Sequence, residues 1–178
     1  MFVPMSTLSS LLIVEDNDDD AALLRRGFTK AKLLNPIYFV RSAEEAITYL
    51  IGTGKYENRV EFPLPALILL DLKMPGMGGH GFLAWLRAKP GLETLRVVVL
   101  SSSDDMRDIS LAYQLGANSF LVKPADFDRF VQISAALSGY WLWLDKHPHP
   151  APHSVPLAHN EQSSRHLYAT PEFNVNRP

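Results

Sequence analysis

Five strand-sized apolar runs, most of them followed by a segment with helical spacing, restrict this chain to very few architectures. The runs are LLIV ending at Val14, IYFV ending at Val40, LILL ending at Leu70, VVVL ending at Leu100 and FLV ending at Val122. Between them apolar residues recur three and four apart, as in Ala21, Leu24, Phe28 and Ala31, or Phe82, Trp85 and Leu86, the spacing of one helical face. Ser42 and Glu45 form a capping-box pattern ahead of Ala46, Ile47 and Leu50, and Gly116 stands where a helix ending near Leu115 needs a left-handed residue. Strands that are apolar on both faces are covered on both sides, and helical crossovers make them parallel. The pattern predicts an α/β fold with a buried, doubly wound, five-stranded parallel sheet.

A chain of 178 residues that is 47% hydrophobic suits one medium domain plus a tail. Residues 52–65 read as an extended loop between the second helix and the third strand. A last helix is expected from about Asp126 to Leu144, with Phe127, Phe130, Ile133, Leu137, Trp141 and Leu144 on one stripe. Tyr140 and Trp143 fall off that stripe, so the helix end has a second surface to cover, either by an oligomer contact or by the tail folding back. From Asp145 onward, 34 residues hold six of the 13 prolines and five of the six histidines, a composition that builds no core of its own. HPHPAPH, from His147 to His153, reads as a proline-stiffened connector without the rigid geometry a metal site needs. The division is thus a domain over 8–144 and a tail over 145–178. That tail is either disordered or, with Leu167, Tyr168, Phe173 and Val175, an arm docking on a second copy to give a homodimer through Trp141, Trp143 and the tail.

The net charge of -2 removes the broad basic field that sequence-independent nucleic-acid binding needs. Without cysteine the chain holds no disulfide, iron–sulfur cluster, thiolate zinc site or cysteine nucleophile. No apolar stretch approaches the roughly 20 residues of a membrane span, and the first ten residues carry no basic signal-peptide region. A cytoplasmic protein with neither a nucleic-acid nor a membrane partner is expected.

In an open parallel sheet, function gathers at the carboxyl ends of the strands. There stand Glu15 and Asp16 after the first run, Asp71 after the third, Ser101 after the fourth, and Lys123 with Pro124 after the fifth. With strand order 2-1-3-4-5, the first and third strands are neighbours, and Glu15, Asp16 and Asp71 share one small pocket. Their repulsion is relieved either by raised pKa values or by a cation, and oxygen-only ligands select a hard ion such as Mg²⁺. Ser101 and Lys123 lie on the other side of Asp71, a hydroxyl and a mobile cation suited to phosphoryl oxygens. Such a site stabilises a phosphoryl group on the carboxylate itself.

These residues resemble the receiver domain of two-component response regulators, the flavodoxin-like (CheY-like) fold. The resemblance rests on the acidic pair Glu15 and Asp16 after LLIV, on DLKMPGMGG from Asp71 to Gly79, on VVVLSS ending in Ser101 and Ser102, and on FLVKP from Phe120 to Pro124. It implies that Asp71 accepts a phosphoryl group from a phosphohistidine of a sensor histidine kinase. It implies further that Asp16, Asp71 and the backbone carbonyl of Lys73 hold Mg²⁺, with Glu15 acting through water, and that Lys123 pairs with Asp71 or the phosphoryl group. Ser101 and Phe120 would act as switch residues reshaping the surface of the fourth helix, fifth strand and fifth helix, and the Lys123–Pro124 peptide would be cis. Lys73 stands where many members carry asparagine, and Phe120 lacks a tyrosine hydroxyl. The whole resembles single-domain regulators, phosphoacceptors and not turnover enzymes, and the loop, the LILLDLKMP wording and the aromatic helix end resemble those serving phytochrome-type kinases.

Blander roles are expected for the neighbours. Asp18 to Asp20 suit a solvated first helical turn beside the helix dipole, Ser103 suits the cap of the fourth helix, and His80 suits an exposed position. Two other functions share parts of the pattern. An aspartate-nucleophile phosphatase of the haloacid-dehalogenase type wants a second acid where Lys73 stands. A phosphorylation-independent interaction module has no reason to crowd like charges.

Overall fold

The computed structural model describes residues 9–137 and 139. Its elements are β1 (Leu11–Val14), α1 (Asp18–Lys30), β2 (Ile37–Val40), α2 (Ala43–Ile51), β3 (Leu67–Leu70), α3 (Gly78–Ala88), β4 (Arg96–Ser101), α4 (Met106–Gln114), β5 (Ser119–Val122) and α5 (Phe127–Leu137). All five strands are parallel in the order β2-β1-β3-β4-β5, the doubly wound arrangement that the alternating pattern predicts. Tyr140, Trp141, Trp143, Leu144 and the segment 145–178 lie outside the described residues, as does any arm formed there.

Alternate residues of each strand feed opposite layers. Leu12, Val14, Ile68, Leu70, Val97 and Val99 join Phe82, Leu83 and Leu86 of α3 and Leu50 of α2 in one core. Leu11, Ile13, Leu67, Leu69, Val98 and Leu100 join Leu24 and Phe28 of α1 with Phe130 and Leu137 of α5 in the other. This period of two explains why β1, β3 and β4 are wholly apolar and wholly buried. The edge strands β2 and β5 are only partly covered, as strands with one neighbour must be.

The helix ends follow local chemistry. Ser42 caps α2 by accepting the Glu45 amide at 3.1 Å, and Gly116, with φ +90°, follows α4 as its position demands. The cap of α1 is Asn17, whose side chain accepts from the Asp19 and Asp20 amides at 2.9 and 3.1 Å. The cap of α4 is Asp105, not Ser103. Ser103 is buried and donates to Asp108 Oδ2 at 2.5 Å, inside the first turn.

The 52–65 segment is no loose loop. Tyr56 and Phe62 from it pack with Tyr38 and Tyr49 at centroid distances of 5.0–6.1 Å. Arg59 donates to the carbonyls of Tyr49 (2.8 Å), Leu50 (2.6 Å) and Phe62 (3.2 Å), tying the last turn of α2 to the segment that follows it. Burial of the Tyr49 ring pushes its phenol pKa up, and its hydroxyl donates to Pro63 O at 2.8 Å. Four aromatic rings and one arginine therefore hold the crossover from α2 to β3 against the sheet edge.

Candidate functional site

The strand register sets the site. Val14 pairs with Leu70, so β1 and β3 end level, while Leu70 pairs with Val99 and β4 runs two residues further, to Ser101. The residues that follow, Glu15, Asp16 and Asp71, are thereby thrown together: each offers a carboxylate oxygen, and these oxygens lie within 4.8 Å of one another. Glu15 and Asp71 are almost fully buried, at 4% and 6% exposure, and Asp16 is half-buried. The Asp71 amide donates to Val14 O at 3.0 Å, and the Lys73 amide donates to Asp71 Oδ1 at 3.2 Å.

Lys123 enters from β5. Its amide donates to Ser101 O at 2.8 Å, continuing the β4–β5 ladder one residue beyond the strand, and its ammonium donates to Asp71 Oδ2 at 2.8 Å and Glu15 Oε2 at 2.7 Å. A third partner is Asp20 Oδ2, at 2.7 Å. Burial pulls the Lys123 ammonium pKa down, but the three carboxylates outweigh it and hold the group charged well above the usual lysine range. Burial likewise pushes the Glu15 carboxyl up, and the neighbouring Asp71 charge adds to this against the opposing pull of Lys123. One ammonium facing three carboxylates, with Asp16 beside them, leaves surplus negative charge.

Asp20 is the residue that sequence reasoning missed. It sits three positions after the cap Asn17, where a helical side chain turns back toward the cap and the strand ends. Recognising Asn17 as the cap would have put Asp20 in the first turn of α1, though not its pairing with Lys123. Asp18 stays outside, paired with Arg41 at 2.7 Å on the surface, as a solvated acid should be.

The other expected residues are distributed as follows. The Ser101 hydroxyl is fully buried and accepts the Ser103 amide at 3.4 Å; among the described residues it bonds neither Asp71 nor Lys123. The Lys73 side chain is exposed. Phe120 is half-buried against the core on the α4 side, and its amide donates to the Tyr113 hydroxyl at 3.1 Å. The Lys123–Pro124 peptide is trans, contrary to expectation. The chain makes no tight turn at Lys123 and Pro124, and trans is the lower-energy X–Pro form. His80 is half-buried, with Nε2 3.3 Å from Asp108 O, so it joins α3 to α4 and does not stand free.

Gly79, the second residue of α3, shows why only glycine fits against the backbone that follows β3. A Cβ there would collide with the Asp71 carbonyl oxygen and lie 2.6 Å from Leu72 Cα, both backbone atoms that cannot swing aside. Gly79→Ala is expected to destabilise the fold by about 3 kcal/mol, read from the urea midpoint, because α3 must back away from the strand end that carries Asp71.

The cluster fits a hard divalent ion. Opposite corners of an octahedral magnesium shell are about 4.2 Å apart, close to the spread of these oxygens, and the donor set is all oxygen. No helix among the described residues is long and apolar enough to cross a membrane.

The chain is similar to known proteins in sequence and in fold. The probable methanogenesis regulatory protein FilR2 of Methanothrix harundinacea (strain 6Ac) is 33% identical over 144 residues, covering 79% of this chain and 88% of FilR2. The response regulator RPA3017, of red light signaling in R. palustris, superposes with a TM-score of 0.75 at 33% identity, over 79% of this chain and 99% of that one. The phosphorylated cyanobacterial phytochrome response regulator RcpA superposes with a TM-score of 0.73 at 32% identity, over 80% and 99% of the two chains. Residues 11–135 match the response regulator receiver domain, a span that runs from the start of β1 into α5 and encloses the whole acidic pocket, and the chain belongs to that family.

Proposed function

We propose that this protein is a phosphoacceptor response regulator, taking a phosphoryl group from the phosphohistidine of a sensor histidine kinase onto Asp71 with Mg²⁺ present. The observation that carries the proposal is the Lys123 ammonium bonded to Asp71 Oδ2 at 2.8 Å beside the buried Glu15. In the transfer, an Asp71 oxygen forms a bond to phosphorus as the nitrogen–phosphorus bond of the donor breaks. The donor imidazole keeps the electron pair. Lys123 neutralises the incoming phosphoryl oxygens, and the Lys73 amide holds the other carboxylate oxygen in place. Glu15, Asp16 and Asp71 would hold the metal ion, which supplies charge neutralisation when bound.

The protein promotes only its own phosphorylation and dephosphorylation. Its signal would leave through the face of α4 and β5, where Met106, Leu111, Tyr113 and Val122 are 69%, 41%, 49% and 45% exposed, an apolar surface suited to partner binding. A phytochrome-type kinase is the proposed donor, supported by the red-light and phytochrome regulators that this chain resembles along almost their full length.

Incubation with acetyl phosphate and Mg²⁺, followed by intact mass, tests the assignment. One phosphoryl adduct that disappears when EDTA replaces Mg²⁺ is the expected result. Steady turnover of phosphate esters would instead indicate a phosphatase, and absence of both would indicate an interaction module.

A further inference from the structure

The loop between Asp71 and α3 is anchored in its first half, where Leu72 and Met74 are buried in the core, and needs a polar support in its second half. Gly76 in the loop and Gly78 at the first position of α3 have φ of +79° and +68°, backbone conformations that favour glycine. The helix that follows has Met77 at its cap position, with no side-chain cap bond and no acid in its first turn. Apart from the Gly79 amide, which donates to Leu72 O at 3.1 Å, an uncapped start of this kind looks elsewhere for acceptors and leaves a positive dipole end uncompensated.

A carboxylate from a different helix makes up the deficit. Glu44, in the first turn of α2, accepts the Met77 amide on Oε1 at 2.8 Å. The approach is close all along this side, since a Cβ on Gly76 would lie 2.7 Å from the same oxygen. Among the described residues, Glu44 is the one side chain from another element that hydrogen-bonds to the backbone of residues 72–77. That amide, before all other causes, holds the Glu44 carboxyl below the ordinary glutamate range, as a bond to the charged form does.

We propose that Glu44 is a positioning residue for the phosphoacceptor site: by clamping the Met77 amide it fixes the loop that carries Lys73 and so the metal-binding and phosphoryl-binding geometry around Asp71. This rests on the phosphoacceptor assignment above. The loop begins at Asp71 and its Lys73 amide already orients Asp71 Oδ1, so drift of the loop moves an oxygen of the nucleophile as well as the Lys73 carbonyl. Neutral glutamine keeps a carbonyl oxygen that can accept the same amide, whereas alanine keeps nothing.

The test compares wild type, Glu44→Ala and Glu44→Gln by magnesium titration calorimetry, hydrogen exchange of the Met77 amide and urea unfolding. Glu44→Ala is expected to exchange the Met77 amide faster and to bind Mg²⁺ about tenfold more weakly, the usual range for loss of a supporting contact. Glu44→Gln should stay within about threefold of wild type, losing only the charge assistance. Unchanged Mg²⁺ affinity in a folded Glu44→Ala protein would overturn the proposal, and so would equal losses of affinity and urea midpoint in both variants, which would mark Glu44 as structural only. If wild type itself takes up no Mg²⁺, the phosphoacceptor assignment falls together with this one. Uptake by wild type with no effect of the variants removes the Glu44 role alone.

Discussion

Asp71→Asn is expected to lower phosphoryl uptake from acetyl phosphate by at least about 10³-fold, equivalent to about 4 kcal/mol in the barrier, while the urea midpoint stays within about 1 kcal/mol of wild type. The two effects separate because the carboxylate has separable roles. As a nucleophile it is irreplaceable, since an amide oxygen lacks the charge that attacks phosphorus. As a structural group it is one of three acids around Lys123, and Glu15 and Asp20 at 2.7 Å still satisfy the ammonium after its loss. An amide can accept from either the Lys73 amide or Lys123, so one hydrogen bond is given up as one like-charge repulsion is relieved. Intact mass and urea unfolding on the same sample check both halves. A variant that still carries the adduct would place the phosphoryl group elsewhere.

Lys123→Met should do the reverse to stability. Removing the ammonium leaves Glu15, Asp20 and Asp71 facing each other with no cation, two of them almost fully buried. Breaking a buried pair by deleting one partner costs about 3–5 kcal/mol, and that loss is expected in EDTA at neutral pH. Its pH dependence has a definite sign. Burial and the Asp71 charge already push the Glu15 carboxyl up, against the pull of Lys123, and deleting Lys123 removes the two larger downward causes and leaves only the Asn17 amide to oppose them. A carboxyl raised in the folded state favours the protonated form, so the variant gains on wild type at acid pH and loses stability as pH rises through the raised value. Millimolar Mg²⁺ should restore much of the difference at neutral pH, because a ligand that binds only the folded state stabilises it. Urea midpoints with EDTA and with Mg²⁺, each at two pH values, read these terms directly. A variant as stable as wild type in EDTA would mean that the acids are neutralised by some other means.

Where sequence and tertiary structure part company is visible in single residues. Hydrophobic periodicity is a local property, repeated within each strand and helix, and the five apolar runs and their carboxyl ends are therefore legible in the chain itself. Asp16, Asp71, Ser101 and Lys123 follow from them directly, since a residue after a buried strand must appear at the sheet's edge. Asp20 is not legible as a site residue, because in sequence it is one acid of an acidic run and only its place in the first turn beyond Asn17 turns it toward Lys123. Ser103 and Asp105 compete for one helix cap over two residues, and the buried bond from Ser103 to Asp108 decides between them.

The order of elements, the parallel sheet and the positions of Asp71 and Lys123 were thus determined by the chain's own pattern of apolar and charged residues, because a strand apolar on both faces is stable only when helices cover both. What only the folded molecule decided were the long-range meetings: Asp20 with Lys123 across 103 residues, Glu44 with Met77 across 33, and the aromatic closure of 52–65. Their physical reason is common. A polar side chain gains from whichever partner the packing of other elements brings within about 3 Å, and that distance is set by helix placement on the sheet, which no short stretch of sequence encodes.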